Sequence, residues 1–162
     1  MAQDPYGIRP NEVAVNVEPR ADATVQFIGR IHTPYNQRSD CPHQAKPDGP
    51  ICQIEVFAPW DQALLGLERF ERIEVLYWLD KSRRDLVVQA PRHSDTTYGT
   101  FALRSPVRPN PIGTAVVRLE AIEGNLLSVR SLDCLDGTPL IDLKPDRCAY
   151  TPKAAPSSGD LT

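Results

Sequence analysis

Hydrophobic and polar positions alternate along this chain in short stretches separated by turns. Ala23 to His32 (ATVQFIGRIH) predicts a first strand, and a polar, turn-rich stretch runs from Thr33 to Pro50. Gln53 to Phe57 predicts a second strand. Ala58 to Leu65 (APWDQALL) predicts the one short helix, with Pro59 suited to a first helical position and Gly66 to its end. Glu71 to Leu79 (ERIEVLYWL) places Ile73, Val75, Tyr77 and Leu79 on one face, while Leu76 and Trp78 load the other. Leu86–Gln89 and Gly99–Leu103 read as further short strands. In Thr114 to Ile122, Ala115, Val117, Leu119 and Ala121 face a core and Arg118 and Glu120 face water. Gly124-Asn125 is a hairpin signal, Leu126–Leu132 the returning strand, Asp136-Gly137 another tight turn, and Thr138–Leu143 the last strand. Many short strands with hardly any helix predict a mainly β, antiparallel barrel or sandwich with long loops. A parallel α/β sheet would need helical crossovers that the pattern lacks.

The ends differ from the middle. Residues 1–22 form an N-terminal arm in which Val13, Ala14, Val15 and Val17 can add an edge strand. Residues 23–150 are read as a single domain, and residues 151–162 (TPKAAPSSGDLT) as a disordered tail. A length of 162 residues suits one domain, and 41% hydrophobic with 24% charged residues is ordinary for a soluble globular protein. No apolar run approaches a membrane span and no signal-peptide core is present, so the expected location is the cytosol. Cys41, Cys52, Cys134 and Cys148 are expected to be free thiols there. Cys41, His43, Cys52 and Cys148 match no common zinc spacing, and no metal is read.

A formal charge of −3 argues against bulk attraction to nucleic acid, yet the charge is segregated. Residues 81–108 hold Lys81, Arg83, Arg84, Arg92, Arg104 and Arg108 against Asp85 and Asp95 alone. A local basic face for RNA or phosphate needs such segregation, although solvated strand charges give the same count. Arg104 to Gly113 (RSPVRPNPIG) contains Pro106, Pro109 and Pro111, which exclude a helix or a central strand. It reads as a stiff loop presenting Arg104, Ser105, Arg108 and Asn110, or as a rigid connector. Ser131 to Pro145 (SLDCLDGTPLIDLKP) brings Asp133, Asp136 and Asp142 near Lys144, around a Gly-Thr-Pro stretch whose backbone can meet a small polar ligand; taken alone, it reads as a hairpin turn followed by an ordinary amphipathic strand.

Three segments carry a family resemblance, in order, between Val25 and Pro145. They are IGRI with TPY (28–31, 33–35), GTFALRSP running into RPNPIG (99–106, 108–113), and Asp133 with DGTP and DLKP (136–139, 142–145). Together they resemble the TsaA/TrmO family of S-adenosylmethionine-dependent tRNA methyltransferases. The resemblance implies a β-barrel, a homodimer, and N6-methylation of threonylcarbamoyladenosine next to the tRNA anticodon. It assigns S-adenosylmethionine contacts to Pro42, His43, Gln44, Asp80, Lys81, Arg104, Thr114, Gly137, Thr138, Pro139 and Leu140. His43 stands where the family usually has Arg, Asp80-Lys81 where some members have His-Gln, and Asp146 where many have Tyr.

Methyl transfer from a sulfonium is a displacement in which the enzyme chiefly positions donor and acceptor. An adenine amine is a poor nucleophile, and a carboxylate that takes its proton assists. Asp133, Asp136 and Asp142 are the candidates, undecided by spacing. Lys144, placed with them in the reacting set, also suits a cofactor carboxylate, a ribose or an RNA phosphate, as does Arg104. A methyltransferase of the same fold acting on a small molecule or another RNA, and a non-catalytic S-adenosylmethionine-binding module, stand as alternatives.

Overall fold

A computed structural model describes residues 7–17, 20–42, 46–91 and 94–147. His43, Gln44, Arg92, Cys148 and the tail 151–162 therefore lie outside the described residues. The chain divides into two compact units, residues 23–80 with 112–148, and residues 1–22 with 81–111 and 149–162.

The larger unit is a closed antiparallel barrel. Its strands are β2 (Gly29–His32), β3 (Ile51–Val56), β4 (Arg72–Trp78), β7 (Ile112–Glu123), β8 (Leu126–Arg130) and β9 (Thr138–Pro145), ordered β2-β3-β8-β7-β4-β9. Closure pairs every strand on both sides, so the barrel has no open edge. The core is aliphatic: Ile31, Ile54, Val56, Ile73, Val75, Val117, Leu127, Val129 and Leu140 are buried. Each such side chain contributes about 1.5–3 kcal/mol by leaving water. The expected face of β4 is observed, with Ile73, Val75 and Tyr77 buried and Leu79 packed on the core. Gly29 lets β2 approach β3, since a Cβ there would collide with the Glu55 carbonyl.

Two β-bulges change the alternation that the sequence suggested. The register of β7 on β8 shifts between Leu119 and Ala121. Beyond it Ile122, rather than Ala121, packs on the core. The register of β9 on β4 shifts likewise, because Leu76 lies opposite Asp142 while Tyr77 lies opposite Leu140. The extra residue, Ile141, turns Leu143 towards the core, where plain alternation from Leu140 would have placed Asp142.

Other boundaries also moved. The first strand is Gly29–His32, without residues 23–28. The expected helix at Ala58–Leu65 is a pair of 3₁₀ turns, Trp60–Leu64 and Leu67–Arg69. Leu65 adopts an extended ψ and Gly66 a left-handed φ of 88°, so the hydrogen-bond ladder stops after one short turn.

In the smaller unit β1 (Val13–Ala14), β5 (Leu86–Gln89) and β6 (Tyr98–Gly99) form a three-stranded sheet in the order β1-β5-β6. The edge strand expected in the arm is therefore present. The strand expected over Gly99–Leu103 stops at Gly99, and Thr100–Ala102 is a 3₁₀ turn. A side-chain network causes the change. Buried Thr100 donates its hydroxyl to the Leu86 carbonyl (2.7 Å), and Gln89 Nε2 donates to Thr100 Oγ1 (2.8 Å) and to the Val107 carbonyl (2.9 Å). These bonds satisfy two buried polar side chains and turn the backbone inward.

Candidate active site

In the barrel unit Asp133 faces the end of β4 and the early loop. Tyr77, at the inward-facing end of β4, donates its hydroxyl to Asp133 Oδ1 at 2.9 Å. The ring fits there because residue 113 is glycine, for a Cβ at Gly113 would fall inside the Tyr77 ring. Asp133 is half-buried, and its charge bears on Tyr35 and Cys41 of the early loop. Burial, and then Asp133, push the Cys41 thiol above its usual range. Burial drives the Cys134 thiol up to about 12. Cys134 and Cys52 are thus buried protonated thiols, inert as nucleophiles.

The Asp136-Gly137 turn is tied to the same early loop. Asp136 N–H donates to the Tyr35 carbonyl (2.8 Å), Gly137 N–H to the Ile31 carbonyl (2.9 Å), and the Thr33 hydroxyl to the Cys134 carbonyl (2.8 Å). Asp136 is exposed; its Oδ1 accepts the Thr33 N–H at 3.1 Å and lies 3.7 Å from His32 Nδ1. His32 Nε2 in turn reaches Glu55 Oε2 at 3.3 Å. Gly137 takes a φ of 79°, which glycine adopts without penalty, and open space surrounds its Cα. Beyond the turn, Thr138 is buried with its hydroxyl on the Leu135 carbonyl, Pro139 lies opposite Arg30, and Leu140 sits in the core. Leu140 therefore offers a ligand only backbone. Pro42 is half-buried beside Cys41.

Asp142 and Lys144 are placed elsewhere. The Ile141 bulge brings them to the outer face, where Lys144 Nζ pairs with Asp142 Oδ2 at 2.5 Å and Asp142 Oδ1 caps the Leu143 N–H. The neighbouring carboxylate raises the pKa of Lys144. Lys144 lies opposite Glu74, which accepts the Thr114 hydroxyl at 2.9 Å, so one polar network crosses β7, β4 and β9. Asp142 also lines an apolar cleft of about 290 Å³ with Trp60, Leu64, Leu67, Phe70 and Leu143. Asp80 is exposed on the turn after β4, with its N–H on the Trp78 carbonyl.

Lys81 and Arg104 belong to the smaller unit, and both are exposed. Several of its cations are structural. Arg83 forks onto Asp85 at 2.7 and 2.8 Å and holds that carboxyl below its usual range. Arg84 donates to the Pro109 carbonyl at 2.6 Å and to Asn110 Oδ1 at 3.4 Å. Arg108 donates to the Leu103 carbonyl (2.6 Å) and to the Ser105 carbonyl (3.3 Å). The proline-rich loop is thus clamped by Arg84 and Arg108, whose guanidinium groups bond its backbone rather than standing free in solvent.

Sequence reasoning passed over Tyr77 and Gly113. Tyr77 read as core, and only the fold, which brings the end of β4 against the segment between β8 and β9, shows that its hydroxyl reaches Asp133. Asp146 is also clarified. Its carboxylate is buried and pairs with Arg72 at 3.1 Å, while the Arg147 guanidinium lies 5.1 Å from the centre of the Phe70 ring. Among the described residues no cluster of metal-ligating side chains occurs, and no helix is long and apolar enough to cross a membrane.

Residues 30–153 match the family described as tRNA-methyltransferase O N-terminal domain. The chain is 50% identical over 147 residues to the probable S-adenosyl-L-methionine-binding protein VirR of Rhizobium radiobacter, covering 91% of this chain and 84% of that one. It is 36% identical over 135 residues to the tRNA (adenine(37)-N6)-methyltransferase of Homo sapiens, covering 76% of this chain and 30% of that one. The crystal structure of TrmO from Pseudomonas aeruginosa aligns with a TM-score of 0.64 at 30% identity, over 86% of this chain and 62% of that one. The chain thus spans less than two thirds of TrmO and under a third of the human enzyme. A match over three quarters of the sequence, on a closed barrel with the three expected segments in order, establishes that this chain belongs to the tRNA-methyltransferase O N-terminal domain family.

Proposed function

We propose that this chain is an S-adenosylmethionine-dependent methyltransferase whose acceptor is the N6 atom of threonylcarbamoyladenosine beside the tRNA anticodon. The observation that carries the reading is the half-buried Asp133, fixed by the Tyr77 hydroxyl beside the open Asp136-Gly137 turn. The residues present suit such a cofactor. Asp133 and Asp136 supply negative charge for a sulfonium, and the left-handed Gly137 leaves space for close approach to backbone. Pro42, Asp80, Thr138 and Pro139 border or continue the same segments of the barrel unit. Within the smaller unit, Lys81 and Arg104 are exposed cations of the kind that pairs with a carboxylate. Bound S-adenosylmethionine supplies a methyl group activated by its positive sulfur.

Of the three aspartates, Asp133 is the proton acceptor in this proposal. Both oxygens of Asp142 are engaged, by Leu143 N–H and by Lys144. Asp136 is exposed and shared between Thr33 and His32. Tyr77 aims Asp133 through Oδ1 without adding a positive charge, which leaves Oδ2 for the adenine proton. With the cofactor bound, Asp133 Oδ2 would take the proton that N6 gives up on accepting the methyl group. Asp142 and Lys144 stabilise the barrel wall, and the Asp146–Arg72 pair keeps a carboxylate away from RNA phosphate.

The protein acts in the cytoplasm, where its substrate resides, and works as a homodimer; exposed Phe57, Trp60 and Leu65 give the barrel unit apolar surface for such an association. Nucleoside mass spectrometry of tRNA from cells with and without the gene tests the proposal. Loss of the methylated threonylcarbamoyladenosine in the deletion supports it, and an unchanged nucleoside profile contradicts it.

A further inference from the structure

Phe101 lies 82% exposed in the middle of the Thr100–Ala102 3₁₀ turn of the smaller unit. An isolated exposed apolar side chain is commonplace, but this one is held rather than loose. Buried Thr100 on one side is locked to Leu86 and Gln89, and buried Leu103 on the other closes the turn with its N–H on the Thr100 carbonyl at 3.2 Å. Behind the ring, the Arg108 guanidinium lies 5.9 Å from its centre and is itself pinned to the carbonyls of Leu103 and Ser105. One side of the ring is thus backed by a fixed cation while most of its surface meets water. Exposed Arg104 follows three residues later, and no acidic residue lies between Thr96 and Asn110.

A rigid, exposed aromatic ring in a locally cationic segment has the components of a stacking platform for a nucleobase. Stacking uses the π-face and is tolerant of base identity, and the positive surroundings favour the attached phosphate. We infer that Phe101 stacks on an unpaired base of the bound RNA. This rests on the tRNA reading above and assigns it a contact outside the methyl-transfer machinery. A second copy of this chain is the competing occupant of the ring, although two copies would bring like charges together here.

Phe101→Ala, Phe101→Trp and the parent are compared for affinity to anticodon stem-loop RNA across a salt series, for S-adenosylmethionine binding, and for mass in solution. Loss of one stacked base should weaken RNA binding roughly 5- to 100-fold in the alanine variant. The slope of affinity against salt should be unchanged, because no phosphate contact is removed. The tryptophan variant should restore binding, while cofactor affinity and mass stay at parental values. Parental RNA affinity in Phe101→Ala, an equal loss of cofactor affinity, or a change from dimer to monomer would each overturn the inference. If the parent itself binds no RNA, the tRNA reading fails before this one is reached.

Discussion

In the proposed mechanism the organising residue is Tyr77, whose hydroxyl bond sets Asp133 apart from two other aspartates close in sequence. Tyr77→Phe keeps the ring in its place against Gly113 and removes the hydroxyl that bonds Asp133. It should lower kcat about tenfold with cofactor affinity nearly unchanged, as expected for a positioning group. Asp133→Asn should lower kcat by about 10²–10⁴, the range for losing a general base, whereas Asp142→Asn should leave kcat close to the parent. Single-turnover rates at saturating cofactor check both, and equal losses for Asp133 and Asp142 would remove the distinction drawn here. Cysteine reactivity offers an independent check of burial. Of Cys41, Cys52 and Cys134, iodoacetamide should modify partly exposed Cys41 first and Cys134 last, because burial holds the Cys134 thiol at about 12. The sequence showed which aspartates were present but not which of them a tyrosine hydroxyl holds. That depends on a hydrogen bond between residues 56 positions apart.

At the scale of elements, hydrophobic alternation located nearly every strand, and the positions it missed have local causes. A single extra residue at Ile141 sends Asp142 and Lys144 outward, and no pattern of period two can signal a bulge. The turn at Thr100 depends on a buried Gln89 that, in sequence, reads as one polar position in a strand. Gly113 is the most exacting position on β7. Gly113→Ala must displace the Tyr77 ring, and overpacking of this kind costs about 1–3 kcal/mol. Urea unfolding should report that loss, with kcat falling as in Tyr77→Phe. In the other unit, Glu12 accepts the Ala90 N–H (3.1 Å) and bonds from Arg9 (2.8–3.1 Å), linking the arm to the end of β5. Burial opposes its ionisation, but these hydrogen bonds outweigh burial and hold the carboxyl below its usual range. A lowered folded pKa contributes stability above the ordinary value of about 4.3 and loses it as pH falls through the folded one. Glu12→Gln should therefore flatten the acid side of the stability profile, and a profile unchanged from the parent would mean that Glu12 is idle.

For the whole molecule, the barrel and its family were legible because three long motifs occur in order, and closure of six strands then satisfies all edges. What composition could not convey is that, among the described residues of 81–108, three of the arginines are engaged within their own unit. Arg83, Arg84 and Arg108 spend hydrogen bonds on their own unit. RNA affinity should accordingly be modest and fall with salt on a shallow slope, set by few phosphate contacts. Light scattering should give close to twice the 18.0 kDa chain mass if the homodimer forms.

The most direct test of the account is methyl transfer by the purified protein. Parent and Asp133→Asn are incubated with labelled S-adenosylmethionine and tRNA from a strain lacking the gene, and the nucleosides are then separated. Label should appear in methylated threonylcarbamoyladenosine with the parent, and the rate should fall by about 10²–10⁴ with the variant. Label in no nucleoside, from a parent that still binds cofactor, would contradict it and direct attention to a small-molecule acceptor.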